Sequence, residues 1–532
     1  MSYSDWPGGR FHSILRGAGL HLRKPPIVCF AAGFLFLLIT HIRFLDLPYH
    51  WDELGYFVPA AHDLLHWHSL IPRSTLPNVH PPLLMLYLAG VWMLFGFQIP
   101  ATRVAMLGIG AATLAAIFAL ARRLSGSTRA ACAAAFLAAL SPPFVIQSML
   151  AQLDLAAALW CLLSLYFFLE RRPWRCGAAA TALVLTKETG LLVPMALIAF
   201  SLHAFWQNQK GVWNSGTPKG MAGAPAPVRA WCSASFPILP LLPPFGAIAV
   251  WLLFLRSKTG HWFGNSEFAA YNLARAFDGL RILLVFLRRC YQLGISDFHW
   301  IGSALLALAI LRYGALRGRR WKLVLTVIAG YVLLHSAVGG AVLLRYLLPA
   351  VALFYIAVAA ASELLPAALR RAGLGTLAAG LVISNWWNPP YPFSYEDNLA
   401  VVDFIRLQQR AAQWLTIHSG DQTVTTAWPL TDALVNPLGG YVRRPLKVNA
   451  VENFQPEALR RVSPEAVQIF VLYSRSWDPP GGVQGWPPVA ELLRKYFGYT
   501  PQITSDSLEE SLHLRRIAGW QMRGQWMEIL GR

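Results

Sequence analysis

The sequence predicts an all-α polytopic membrane protein that ends in a small C-terminal α/β domain outside the membrane. Three observations carry this reading. Of 532 residues, 55% are hydrophobic and only 13% are charged, whereas soluble domains carry about 25% charged residues. Up to Trp387 the chain alternates long apolar runs with short clusters of arginine and lysine. From Asn388 onward the apolar runs shorten and polar residues take over.

The charge pattern also excludes a class of function. The net charge is +19, but the basic residues sit in short clusters between apolar runs. That is the pattern of cytoplasmic membrane loops, and no nucleic acid is expected as a partner. The six cysteines, Cys29, Cys132, Cys161, Cys176, Cys232 and Cys290, form no C-x-x-C pair. They read as small packing residues rather than as a zinc site or a disulfide framework.

A spanning helix needs about 20 apolar residues, and Lys/Arg-rich loops stay in the cytoplasm. Residues 1–26, with Arg16, Arg23 and Lys24, are basic and carry no small-residue cleavage site. They are read as a cytoplasmic N-terminus, and Ile27–Leu45 as a retained first span leading outward. Residues 46–103 then form a first outer loop. The apolar run Leu83–Phe97 inside it is expected to lie along the outer leaflet, because a crossing there would put Arg122, Arg123 and Arg129 outside.

The remaining crossings are Val104–Ala121, Ala130–Leu150, Leu155–Leu169, Cys176–Thr186, Leu191–Phe205, Phe236–Leu255, Trp300–Leu311, Val324–Val338, Tyr346–Leu364 and Ala372–Trp387. The total is roughly eleven, within an expected range of about 11–13 transmembrane helices. The loop 206–235, with Lys210, Lys219 and Arg229 and no acids, suits the cytoplasm. The segment 256–299 is basic yet falls outside. Its piece Leu280–Leu287 reads as an interfacial helix that either faces an anionic lipid ligand or anchors to headgroups. An odd number of crossings puts residues 388–532 outside; one tilted helix over 176–205 would reverse that.

In the C-terminal part, Asn388-Pro389-Pro390-Tyr391-Pro392 is a linker. Glu396–His418 has helical spacing, Thr423–Trp428 and Val467–Tyr473 read as strands, and Val489–Phe497 as a second helix.

Ionisable residues placed in apolar surroundings mark the candidate chemistry. Asp52 and Glu53 stand together in a loop with Tyr49, Trp51, Tyr56 and Phe57. Paired carboxylates at a membrane face are costly unless solvated or matched. One can act as a general base while the other binds a hydroxyl or a cation. Asp154 opens a span and reads either as a helix N-cap or as a second acid on the same outer face. Lys187-Glu188 interrupts an apolar region, either as a self-contained ion pair or as functional groups.

Arg345-Tyr346 opens a late span near His335. An arginine there forks onto a phosphate or snorkels to the interface. His80, before Pro81-Pro82, reads as a ligand holder or as a helix cap. His62 and His66 share a helix face without a third firm metal ligand, so metal use is left open. A divalent metal is possible and no cofactor is assigned.

Six segments, WDELGYF, HPPLLMLYLAGVWMLFG, TRVAMLGIGAATL, QLDLAAALW, LTKETGLL and LRYLLPA, occur in an order that resembles the polyprenyl-phosphate-sugar-dependent glycosyltransferases of the GT-C fold. The resemblance covers about residues 27–365. It points to bacterial relatives of the dolichyl-phosphate-mannose–protein mannosyltransferases and of the lipid A aminoarabinose transferase.

The resemblance implies an inverting transfer from a polyprenyl-phosphate-linked sugar to a glycolipid, glycan or protein acceptor. The enzyme would sit in the bacterial inner membrane with its site facing outside. By matching motif position, Asp52 would activate or orient the acceptor hydroxyl, Glu53 would support it, and Asp154 would be the second acid. Lys187 and Arg345, with Tyr346, would suit the donor phosphate. His80 and its His-rich approach depart from the pattern. A transporter or flippase of lipid-linked glycans is the alternative, although the internal repeats common in transporters are not seen. A scaffold protein would leave the outer acids and bases unexplained.

Overall fold

A computed structural model describes residues 25–209, 236–273, 277–479 and 481–532. Most of the expected cytoplasmic N-terminus, most of the loop 206–235, Cys232 and Arg275 lie outside the described residues. Among the described residues, five helices are long and apolar enough to cross a bilayer: Pro25–Phe44, Ile99–Ser125, Glu188–Trp206, Leu239–Thr259 and Leu344–Ser362. Two further helix pairs meet the same test but are sharply bent. Other expected crossings fall on shorter or less apolar helices, such as Leu153–Leu169, Pro173–Thr186, Arg319–Ala337 and Ala367–Ser384.

Several elements differ from the sequence reading for local reasons. The run 130–150 is two helices, Thr128–Leu140 and Pro142–Met149, bent by 68°. Pro142-Pro143 starts the second helix, where a missing N–H costs nothing. Residues 173–209 are two helices, Pro173–Thr186 and Leu192–Gln209, with Lys187 extended between them. They do not form the single tilted helix of the alternative.

The basic segment 256–299 holds the strongly amphipathic helix Gly279–Gly294, which turns by 83° into His299–Tyr313. The helix Leu83–Phe95 has 13 residues, about 20 Å at 1.5 Å per residue, shorter than a bilayer core of about 30 Å.

The C-terminal part builds one five-stranded sheet in the order β2-β1-β3-β5-β4. The strands are β1 Val424–Ala427, β2 Val448–Val451, β3 Ile469–Tyr473, β4 Arg515–Met522 and β5 Gln525–Gly531. β1 lies parallel to β2 and β3, and β5 runs antiparallel to both β3 and β4. The β4–β5 hairpin turns through Arg523 and Gly524, both at positive φ, as a tight hairpin requires.

Composition changes at Asn388, but packing continues across it. One apolar cluster joins Tyr49, Leu54 and Phe57 of the first outer loop to Phe404, Phe470 and Ile529 of the C-terminal part. A second fills the helical region around Leu162, Leu165 and Leu353. The segment 46–103 is thus clamped between the helices and the sheet. Tyr49 donates its N–H to the Gly439 carbonyl at 3.0 Å, and its hydroxyl meets Thr102 Oγ1 at 2.6 Å.

Candidate active site

The WDELGYF stretch is held in an unusual backbone. Trp51 has a φ of 43°, a left-handed conformation that bulky residues rarely adopt. Glu53–Phe57 form a π-helical turn, a geometry frequent at functional sites. Together they turn the adjacent carboxylates toward different cations.

Glu53 is fully buried and paired with Arg103, itself 1% exposed. It accepts N–H bonds from His50 at 2.9 Å and Ala151 at 2.5 Å. Arg103 also donates to the carbonyls of Met149 (2.6 Å), Leu47 (3.0 Å) and Pro48 (2.9 Å). A buried ion pair holds only when its remaining hydrogen-bond capacity is met, and here most of it is. Glu53 therefore fastens the loop to the helix Ile99–Ser125 and faces away from Asp52.

Asp52 pairs with Arg345, which lies in the single 3-10 turn Leu344–Leu347 opening its span. The same guanidinium reaches Asp154 Oδ2 from Nε at 3.4 Å and Glu396 Oε2 from Nη1 at 3.0 Å. Lys187 Nζ donates to Asp154 Oδ1 at 2.6 Å. Asp154 sits in the first turn of Leu153–Leu169, and its side chain takes Lys187 and Arg345 rather than capping the helix.

Tyr346 lies under this cluster. Lys187 Nζ is 4.1 Å from its ring centre, and His335 stacks on it at 5.4 Å. Three carboxylates and two cations from sequence-distant segments thus share one site. Asp52, at 24% exposed, is the open member, against 7% for Asp154 and 1% for Glu396.

Glu188 turns the other way, to His80 Nδ1 at 2.8 Å. Lys187 and Glu188 are therefore not a self-contained pair; each finds its partner across the fold. His80 is placed by neighbours of its own loop. Trp251 Nε1 donates to the Val79 carbonyl at 2.8 Å, and Asn265 Nδ2 to the Pro77 carbonyl at 2.6 Å. Gly264, at φ 85°, lies so close that a Cβ would fall 2.6 Å from the Pro77 oxygen. His62 and His66 stack with ring centres 4.0 Å apart. Among the described residues, no three His, Cys, Asp or Glu side chains are grouped as metal ligands would be.

Two important members were not singled out in the sequence. Arg103 lies inside TRVAMLG, where an arginine followed by an apolar run is itself a signal. Glu396, in Ser394-Tyr395-Glu396-Asp397, reads as the first residue of a helix and instead enters the ion cluster, with Gln152 Nε2 donating to its Oε1 at 2.9 Å. Burial pushes the Glu396 carboxyl up to about 7 against the pull of Arg345, and Asp397 beside it to about 6.

Beside Asp52, Trp51 lines a cavity of about 830 Å³ between the helical region and the C-terminal part. Arg288 and Tyr291 border it from one side, Arg475 and Tyr499 from the other.

Residues 79–220 match the sequence profile of the dolichyl-phosphate-mannose-protein mannosyltransferase family. The structure is similar over nearly its whole length to ArnT from Cupriavidus metallidurans. With the undecaprenyl phosphate-bound crystal structure the TM-score is 0.53 at 13% identity, covering 94% of this chain and 97% of that one. With the apo structure it is 0.52 at 14% identity, over the same shares. The fold is that of the GT-C glycosyltransferases. No curated protein matches the sequence. The GT-C fold and the apolar helices make this an integral membrane protein. The ion cluster lies where its helices meet the segment 46–103 and the start of the C-terminal part.

Proposed function

We propose that the protein transfers a sugar, with inversion, from a polyprenyl-phosphate carrier to an acceptor on the outer side of the bacterial inner membrane. The acceptor is a glycolipid, glycan or protein of the cell envelope. The observation that carries this reading is the convergence of Asp52 and Asp154 with Lys187 and Arg345 in one cluster. Acids able to take a hydroxyl proton stand beside cations able to receive a phosphate. The ligand bound in the similar ArnT structure, undecaprenyl phosphate, fits the same chemistry.

In this mechanism the acceptor oxygen bonds to the anomeric carbon as the bond from that carbon to the phosphate oxygen breaks. The hydroxyl proton passes to Asp52, the most open carboxylate of the cluster, as a general base within reach of solvent. The phosphate leaves with the electron pair opposite Lys187 and Arg345, whose charges stabilise it. Asp154 holds both cations at the correct separation. Tyr346 and His335 pack beneath them. Glu53 acts one step removed, by fixing the loop that carries Asp52.

Asp52→Asn tests this directly. Purified protein should keep its thermal midpoint and its donor binding while transfer falls at least about a thousandfold, in the upper part of the range for a general base. Transfer near the wild-type rate would remove Asp52 from the mechanism.

A further inference from the structure

The cluster holds one more carboxylate than it holds cations, and the surplus comes from the C-terminal part. A phosphodiester entering such a site adds another negative charge where little water remains to screen it. Uncompensated charge in that setting is strongly disfavoured. Either a carboxylate swings away or one of them takes a proton.

The contacts distinguish the three acids. Asp154 accepts from Lys187 at 2.6 Å and lies 3.4 Å from Arg345 Nε without a hydrogen bond to it. Asp52 forms the tightest contact with Arg345 and is the partly open acid. Glu396 is ion-paired with Arg345 but takes no hydrogen bond from a cation. Its Oε2 lies 3.0 Å from Arg345 Nη1 but out of line, so neither atom has a hydrogen-bond partner, and Arg345 Nε is likewise unpartnered. Glu396 Oε2 and Arg345 Nη1 are buried polar atoms beside one another that do not satisfy each other, and each such group costs free energy until a partner arrives. The other oxygen, Oε1, accepts from the Gln152 amide at 2.9 Å. That bond serves a neutral carboxylic acid as well as a carboxylate.

We infer that Glu396 is a positioning residue that holds the face of Arg345 taken by the donor's phosphate, so that phosphate binding draws one proton onto Glu396. This rests on the proposed function. The proton comes from solvent and goes to Glu396 Oε2; no covalent bond changes. Arg345 then forks onto the phosphate, the geometry its guanidinium favours, while Asp52 and Asp154 keep their places.

The groups facing Glu396 agree with this. Arg345 stabilises its charged form, while Asp52 and Asp397 oppose it. Arg288 and Arg289 act on Asp397, and His50, kept neutral by burial, adds no charge. The Glu396 carboxyl starts near 7 and rises further when Arg345 turns to the phosphate. Below that value Glu396 is already neutral and binding is flat with pH. Above it, binding takes up a proton, and affinity falls about tenfold per pH unit.

The test uses the full-length protein in detergent and farnesyl methyl phosphate, a prenyl phosphodiester that does not itself titrate near neutrality. Calorimetry at about pH 8, in two buffers of different ionisation enthalpy, reads proton uptake as well as affinity. The expected result is uptake approaching one proton in the wild type and none in Glu396→Gln. The variant should bind about tenfold more tightly than wild type at that pH, and equally near pH 6. No uptake by the wild type would overturn the inference without reference to any variant. Equal uptake by Glu396→Gln, or weaker binding by it at every pH, would overturn it while leaving the transferase reading intact. Failure of the wild type to bind the phosphodiester would overturn both.

Discussion

Replacing Arg103 by methionine should destabilise the protein far more than replacing Asp52 by asparagine, although Arg103 pairs with one acid of the Asp52-Glu53 motif and Asp52 is the other. Arg103 is 1% exposed and its partner Glu53 is fully buried. The substitution leaves that carboxylate with only the His50 and Ala151 N–H groups, and it strips donors from the carbonyls of Met149, Leu47 and Pro48. Breaking one side of a buried pair costs about 3–5 kcal/mol. Each unpartnered carbonyl adds about 1 kcal/mol or more unless water reaches it.

The assay is the thermal midpoint of purified protein in one detergent at one scan rate, since unfolding of a chain this large is under kinetic control. Arg103→Met should lower the midpoint by several degrees and expose the first outer loop to protease. The pair Arg103→Met with Glu53→Gln should recover part of the loss, because no buried charge then lacks a partner. A single variant as stable as wild type, or a double variant worse than the sum of its parts, would refute the assignment of Glu53 as the loop's fastening.

Lys187→Met removes the 2.6 Å contact with Asp154. Charge-assisted bonds are worth about 1.5–3 kcal/mol, so donor KM should rise roughly tenfold to a hundredfold; an unchanged donor KM would take Lys187 out of phosphate binding. His80→Phe breaks the contact with Glu188, whose two side chains are 17% and 24% exposed. Transfer should stay above about a tenth of wild type, because this contact lies apart from the ion cluster around Arg345. A loss as large as that of Asp52→Asn would place His80 in the chemistry.

Much of the site was legible because membrane chains tolerate few ionisable residues inside apolar stretches. Asp52, Asp154, Lys187 and Arg345 stand out for that reason, and the fold brings them together. The direction of each side chain was not legible. Asp52 and Glu53 are neighbours in sequence and part company only because Trp51 is left-handed and a π-helical turn follows. Lys187 and Glu188 diverge at a helix break in the same way.

Glu396 escaped notice because the change of composition at Asn388 suggests a separate domain, whereas the C-terminal part shares its core with the first outer loop. β2, β4 and β5 also escaped; for β2 and β4 the reason is different. The first is four residues long and mostly exposed, and the second carries exposed or half-buried residues throughout. Neither shows the clean alternation that marks a half-buried strand.

The most direct measurement of the central claim is consumption of a polyprenyl-phosphate sugar by purified protein in detergent, where no second compartment exists. Free polyprenyl phosphate should appear together with a glycosylated acceptor of inverted anomeric configuration, and Asp52→Asn should abolish both. Intact donor in every such mixture, together with movement of lipid-linked glycan across vesicle membranes by the same protein, would contradict that claim and establish a transporter.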